Sequence, residues 1–492
     1  MNRKNSLSFF LLILIYIILS FSFFYCTDSG ENSEKPEVFS LSPASKVSSM
    51  PSFTLTANGS GFVTGSKIIF NGVTKNTNYT DPGEISCTID KNEISLNSYS
   101  HVVSNNEMSS IPVLVRNPGG EESDTLFFTI NDNHSFIIPK KLSEEHSTSF
   151  NPAIATDPEG NIFIVYDRYE RSVNGYYVSV ISSKDKGDSW VEYVDIFTAT
   201  ERCYNTKITS GPDGTIYVTF FNAKLYFSYS NDQGNTWQIP KAITPNANAP
   251  LDSDIAIDKN GAINIIWVQR DLYNFKSIYF IRSEDKGVSF SLPVSVAAEW
   301  ENYSSIYNSA LAINNNNGIF VTWTGWPAGG SRYSHVYFNY SHDNGINWNS
   351  EDKYFGVCSS SDLSVDPEGN IDLVISSSYL PFQNQIIFLR SVDNGVSWGK
   401  GIAVTSNSSD TNPIIRTDSA GNRNIIFKRD KYYYFTRSIP SGVSWTDPIF
   451  ATDKENIRFS DKSIDMALDN EGNIFIVSEY DNIGLLYFTK SY

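Results

Sequence analysis

The chain has 492 residues, with 54 acidic against 37 basic side chains, a formal net charge of −17 and 14% aromatic content. That balance argues against a nucleic-acid backbone as partner, and cysteines only at Cys26, Cys87, Cys203 and Cys358 leave no disulfide framework and no zinc spacing. The length allows more than one domain, and abundant aromatic, Ser, Asn and Thr residues suit many short strands and turns.

Arg3 and Lys4 precede an apolar run from Leu7 to about Phe24, which reads as the charged and hydrophobic regions of a secretory signal. The chain is therefore expected to leave the cytoplasm. Cys26 follows the run directly, ahead of a polar stretch, and resembles the lipidation site of a bacterial lipoprotein. Residues 1–26 are read as the leader and 27–35 as a linker, which implies an envelope location and a lipid anchor facing the surface or the periplasm. Phe23, Phe24 and Tyr25 are bulky where such sites carry small residues. The alternatives are cleavage after Ser22 and an uncleaved span, since the run approaches the roughly 18 apolar residues a membrane crossing needs.

Residues 36–131 form a separate unit of alternating strands, including Phe53-Thr54-Leu55-Thr56 and Lys67-Ile68-Ile69-Phe70, set between Gly, Asn and Pro turns. No helical period is present, so a small β-sandwich is expected. The words SLSPASK at Ser40–Lys46, NGSGF at Asn58–Phe62, IIFNG at Ile68–Gly72 and VRNPGGEES at Val115–Ser123 resemble the TIG (IPT) immunoglobulin-like domain. The resemblance implies a spacer or an accessory binding module.

From His134 to Tyr492 the chain repeats at a period of roughly 50 residues, the mark of a propeller or solenoid. One word is Ser391-Val392-Asp393-Asn394-Gly395-Val396-Ser397-Trp398, with further copies at Ser183–Trp190, Ser230–Trp237, Ser283–Phe290, Ser341–Trp348 and a decayed Ser438–Trp445. Its Asp (Asp185, Asp232, Asp285, Asp343, Asp393) can bond to the amides of its own turn, and its Gly supplies a positive φ. The final aromatic is expected to bury itself as an anchor for the hairpin. The pattern resembles the Asp box, or BNR repeat, of sialidases and related β-propellers. In that family these boxes lie away from the catalytic pocket.

A second word, a strand, a D-x-x-G-like turn and another strand, recurs with turn glycines Gly160, Gly214, Gly261, Gly318, Gly369, Gly421 and Gly472. The last repeat lacks a fourth strand, and Ser135–Leu142 resembles the fourth-strand segment Thr236–Ile243. The expected fold is therefore all-β: a seven-bladed β-propeller over 134–492, its last blade completed by the N-terminal strand, behind an N-terminal Ig-like β-sandwich. A six-bladed sialidase-like ring is the alternative.

Both turn sets fall on one face, leaving the opposite face, with its two-to-three loops and blade crossings, around the funnel where a ligand is expected. The candidates there are Arg168, Tyr169, Arg270, Trp326, Arg332, Arg429 and Tyr480 for ligand binding, and Asp167, Glu479 and Tyr480 for catalysis. Aromatic platforms with arginines and carboxylates suit sugars and equally suit peptides. The resemblance implies an arginine triad for a substrate carboxylate, a Tyr–Glu nucleophile pair and an Asp acid/base. Phe150, in Ser149-Phe150-Asn151-Pro152, stands where the first arginine would be, which argues against true sialidase activity.

The expected function is thus binding of a glycan or protein ligand by a monomer, with a glycoside hydrolase as the enzymatic alternative and a scaffold using the propeller rim as the second. No cofactor or metal is expected, because the five histidines show no ligand spacing.

Overall fold

The computed structural model describes residues 35–43, 45–47, 53–90, 93, 108–131, 136, 139–143, 147–244, 251–270, 276–298, 303–327, 333–378, 384–406, 409–438, 445–451, 459–480 and 484–491. The chain divides into two compact units, Met1–Asn133 and His134–Tyr492. Every named element is a β-strand.

In the first unit, Glu37–Ser42, Phe53–Ser60, Glu84–Ile89 and Thr77–Asp81 form one sheet. Ser45–Val47, Leu126–Asn131, Met108–Arg116, Lys67–Phe70 and Val73–Thr74 form the other. Alternation decides which side chains go inside. Leu55 and Ala57 of one strand and Ile85, Cys87 and Ile89 of its partner are buried against Val113, Val115 and Phe128 from the second sheet. The Phe53 and Phe128 rings stack across the sandwich with centroids 5.4 Å apart.

The second unit is a β-propeller of four-stranded antiparallel sheets. Blade 1 comprises Ser147–Thr156, Ile162–Glu170, Gly175–Ser183 and Val194–Ala199 in sequential order. Blades 2 and 3 begin at Tyr204 and Asp252 with the same order. A continuous seven-stranded sheet beginning at Tyr303 holds the next two, because Lys353–Val365 pairs through Tyr354 with the strand before it and through Cys358–Val365 with the strand after it. One long strand is thus the outer edge of blade 4 and the inner edge of blade 5. Blade 6 begins at Asp410, and blade 7 contains Phe459–Leu468, Ile474–Tyr480 and Leu485–Ser491.

The first strands of successive blades contact one another around a closed ring, that of blade 7 meeting that of blade 1. Lys140 and Lys141 pair with Phe488 and Tyr487, so a segment preceding blade 1 supplies the outer strand of blade 7. That pairing is the closure expected from the missing fourth strand, and it covers an edge that an open sheet would expose.

The S-x-D-x-G turns have a common geometry. In blade 1 the Asp185 carboxylate accepts the Ser189 amide at 2.8 Å and the Ser183 hydroxyl at 2.8 Å, while Ser183 Oγ accepts the Gly187 amide at 2.8 Å. Asp232, Asp285, Asp343 and Asp393 repeat the first contact at 2.9, 2.8, 2.9 and 2.8 Å.

The aromatic that ends these turns does more than anchor its own hairpin, although Trp190 and Trp237 do donate Nε1 to the carbonyls of their own turn glycines, Gly187 and Gly234, at 3.2 Å each. The ring is half-buried and packs edge-on against a Phe of the preceding blade: Phe290 on Phe227, Trp348 on Phe280, Trp398 on Phe338, and Trp190 of blade 1 on Phe488 of blade 7. The turn glycine approaches the same ring so closely that a Cβ at Gly345 would overlap Phe280. These turns therefore rivet neighbouring blades, and their last ring is an inter-blade contact.

Candidate functional site

Two charged clusters are built on the inner strands and the funnel face. The first lies on the inner strands, at the residue four places before the start of each D-x-x-G-like turn. That residue is Ala153, Lys207, Asp254, Ala310, Asp362, Ile414 and Asp465 in blades 1 to 7. Asp254 accepts the Ile255 amide of its own strand at 2.9 Å and the Leu311 amide of the next blade at 2.9 Å. Asp362 serves Leu363 and Ile415 in the same way, and Asp465 serves Met466 and Ile154. Three carboxylates thus hold six amides on six blades. The remaining blade carries Lys207, a positive side chain in the field of Asp254, Asp252, Asp465 and Asp362.

Arg416 completes this network by pairing with Asp362 at 2.9 Å and Asp465 at 3.1 Å. These side chains are only partly exposed, Arg416 at 36%, Asp362 at 15% and Asp465 at 20%. Burial pushes the Asp254 carboxyl up to about 6, against the pull of Lys207 and the two amides. It raises Asp362 as well, against Arg416. Burial would discharge Lys207, but the surrounding carboxylates outweigh it and hold the ammonium above its ordinary range.

The second cluster belongs to the funnel face, where second strands end and chains cross between blades. Asp167, near the end of the second strand of blade 1, is 2% exposed. Its carboxylate accepts Asn151 Nδ2 at 2.8 Å and Arg202 Nε at 3.3 Å. Asn151 sits at a bulge in the inner strand with φ of 47°, a conformation Asn tolerates better than most residues. Arg202 lies on the crossing from blade 1 to blade 2, its guanidinium 4.3 Å from the centroid of the Phe150 ring. Its side chain is 49% exposed.

Glu479, 4% exposed near the end of the second strand of blade 7, raises the proton affinity of both Asp167 and the blade 6 residue Tyr433. Burial pushes Asp167 up to about 6, opposed by Arg202 and Asn151 and reinforced by Glu479. The structure therefore brings Glu479 near enough to Asp167, two of the expected catalytic candidates, to raise its proton affinity, while Arg202 links Asp167 to the Phe150 ring.

The other candidates fare differently. Arg168 points to the opposite side of its strand from Asp167, as alternation requires. It is 5% exposed, bonded to Asp195 at 2.9 Å and sandwiched by Tyr177 and Tyr193, so it serves its own blade rather than a ligand. Arg429 is likewise taken by the buried Asp410, at 2.6 and 2.9 Å, and lies over Tyr434. Tyr169 donates to Asn174 at 2.7 Å, and Trp326 donates to Tyr307 at 3.1 Å. Arg332 lies outside the described residues, as do the side chains of Arg270 and Tyr480 and the leader with Cys26. Cys87, Cys203 and Cys358 are buried free thiols. Among the described residues no group of His, Cys, Asp and Glu is arranged to hold a metal ion.

The fold and site define a β-propeller with a charged funnel face. No family model matches the chain, and no curated protein matches it. Among solved structures it is similar to an ulvan lyase of a polysaccharide lyase family, bound to an oligosaccharide, at 12% identity and a TM-score of 0.49 over 71% of this chain and 95% of that one. It is also similar to YCF48 bound to a D1 peptide, at 12% identity and a TM-score of 0.46 over 72% and 96%. A third is the intramolecular trans-sialidase from Ruminococcus gnavus, at 11% identity and a TM-score of 0.41 over 70% and 94%. At these identities the likeness is one of fold, and it carries no activity to this chain.

Proposed function

We propose that this is an exported, envelope-anchored binding protein: an Asp-box propeller behind a TIG-like spacer, holding a glycan over its funnel face. The observation that carries the reading is the grouping of Phe150, Asn151, Asp167 and Arg202, in which a half-exposed guanidinium on a blade crossing is held by an aromatic ring and a buried carboxylate. Few, well-placed polar groups beside an aromatic surface are what sugar recognition requires. The test is incubation of residues 27–492 with a mixed panel of acidic and neutral glycans, reading retained sugars by pull-down and released sugars by mass spectrometry. Retention without release is the expected result; no retention on any glycan sinks the reading.

A second reading, a glycoside hydrolase, is favoured by one observation. Burial pushes the Asp167 carboxyl up to about 6 and the nearby Glu479 reinforces the shift, which suits a general acid set beside a second carboxylate. Release of sugar in the same assay, abolished by Asp167→Asn, would establish it.

A further inference from the structure

The funnel-face cluster also defines the chemistry of what it recognises. Arg202 uses Nε inward, on Asp167, and lays the face of its guanidinium on Phe150. Neither contact engages the two terminal nitrogens. With the side chain half-exposed, the two NH2 groups form a planar fork whose orientation is set by a buried carboxylate and a ring. A fork of this kind matches two oxygens of a carboxylate or a sulfate ester, and prior immobilisation lowers the entropy lost on binding.

Asp167 itself does not compete for an incoming anion's place, because it is enclosed and its oxygens are occupied by Asn151 and Arg202. Arg168 and Arg429, which the sequence places on the same face, are consumed by Asp195 and Asp410. Among the described residues of this face, Arg202 is thus the arginine whose terminal nitrogens are not engaged by its contacts to Asp167 and Phe150. The formal charge of −17 disfavours indiscriminate attraction of polyanions, so recognition of an acidic sugar here depends on local geometry rather than on a long-range field.

We propose that Arg202 reads an anionic substituent, a carboxylate or a sulfate ester, on an oligosaccharide bound at the funnel face, with Asp167 and Phe150 as positioning residues. The assignment rests on the glycan-binding reading above. It reaches further by naming the acidic class of sugar and the residue that selects it, and that residue belongs to neither of the repeated turn motifs.

The experiment is calorimetric titration of residues 27–492 with four probes: a uronic-acid oligosaccharide, its methyl ester, a sulfated neutral oligosaccharide and its unsulfated parent. Wild-type protein should bind at least one charged probe about tenfold or more tightly than its uncharged counterpart, the scale expected of a charge-assisted contact. The carboxylated and sulfated arms identify which anion is read. Arg202→Ala should erase that preference, so that charged and uncharged probes bind with equal affinity, and Arg202→Lys should restore part of it. Phe150→Leu should weaken charged binding by a smaller factor, because the fork loses its ring support. Unchanged melting temperatures and far-UV spectra guard against misfolding. Equal affinity for charged and uncharged probes, or a preference surviving in Arg202→Ala, overturns the assignment while leaving glycan binding intact. Failure of all four probes on wild-type protein overturns both.

Discussion

Asp465 on the inner strand of blade 7 accepts the backbone amide of Ile154 on the inner strand of blade 1 at 3.1 Å, a contact between residues 311 positions apart. It is the last of three such carboxylate bridges, and it joins the two ends of the ring. Hydrogen bonds to a charged acceptor contribute about 1.5–3 kcal/mol each, and deleting the acceptor strands the donors. Asp465→Ala should therefore destabilise the propeller by about 3 kcal/mol in urea unfolding, and Asp465→Asn, which keeps one oxygen acceptor, by less. Equal stability of the Ala variant would show that the bridge contributes nothing.

Gly345 tests the rivet between blades 3 and 4. Its φ of 82° is strained for any other residue, and an added Cβ would collide with the Phe280 ring that Trp348 also packs against. Gly345→Ala should cost about 2–3 kcal/mol, the sum of the backbone strain and the overpacking. Chemical denaturation checks it, and the paired change Phe280→Leu should recover part of the loss by making room.

Blades 5 and 6 are joined by a buried ion network in which Arg423, 1% exposed, bonds Asp372 at 2.8 Å and Asp366 at 3.3 Å. Arg390 also bonds both carboxylates, reaching Asp372 at 3.0 Å, so removing Arg423 leaves them one cation in place of two. Arg423→Ala is expected to lower stability by about 2–3 kcal/mol, the scale of a lost charge-assisted contact. The companion Asp372→Asn in the Arg423→Ala background should recover part of that, which a double-mutant cycle measures directly.

Stability should peak in mildly acid solution. Burial pushes Asp167 and Asp254 up to about 6 and Asp372 up to about 7, all above the unfolded value near 3.8. The folded state therefore binds those protons more tightly, so their contribution is fully present below pH ~4 and is lost as pH rises through 6 to 7. The S-x-D-x-G carboxylates behave oppositely. Hydrogen bonds from Ser189 and Ser289 hold Asp185 and Asp285 down to about 2, so their contribution is present above pH ~4 and is lost on approach to pH 2. Melting temperature should rise from pH 8 towards 5 and fall again below 4. A monotonic profile would contradict this assignment, and Asp254→Asn should flatten the alkaline limb.

The repeated turns, the blade order and the closing strand were legible in the sequence because each is written in local turn chemistry and strand spacing. Similarity between residues 135–142 and 236–243 was enough to assign the former as an outer strand. The inner-strand bridges were not legible. Asp254, Asp362 and Asp465 stand in only three of seven repeats, and their partners lie on the next blade, beyond any local pattern. The site was read only in part. Asp167 and Glu479 were singled out, and they do lie close enough to influence one another. Arg202 was missed because it occupies an irregular crossing, and its one signal was its place just before a buried Cys203 at the start of an inner strand. Arg168 and Arg429 were attractive as exposed loop arginines, yet carboxylates on other strands of their own blades, invisible in one dimension, claim both.

The strand that completes blade 7 comes from the far end of the unit: the Ser143 hydroxyl accepts the Leu486 amide across 343 positions. An open stack of repeats can fold and fray one unit at a time, each addition independent of the ends. Here the final sheet stays one strand short until residues near both ends of the unit have met, so completing the last blade ties the two ends of the ring together. Disruption at Lys140 or Lys141, far in sequence from blade 7, should then loosen the entire circle at once rather than its first spoke alone.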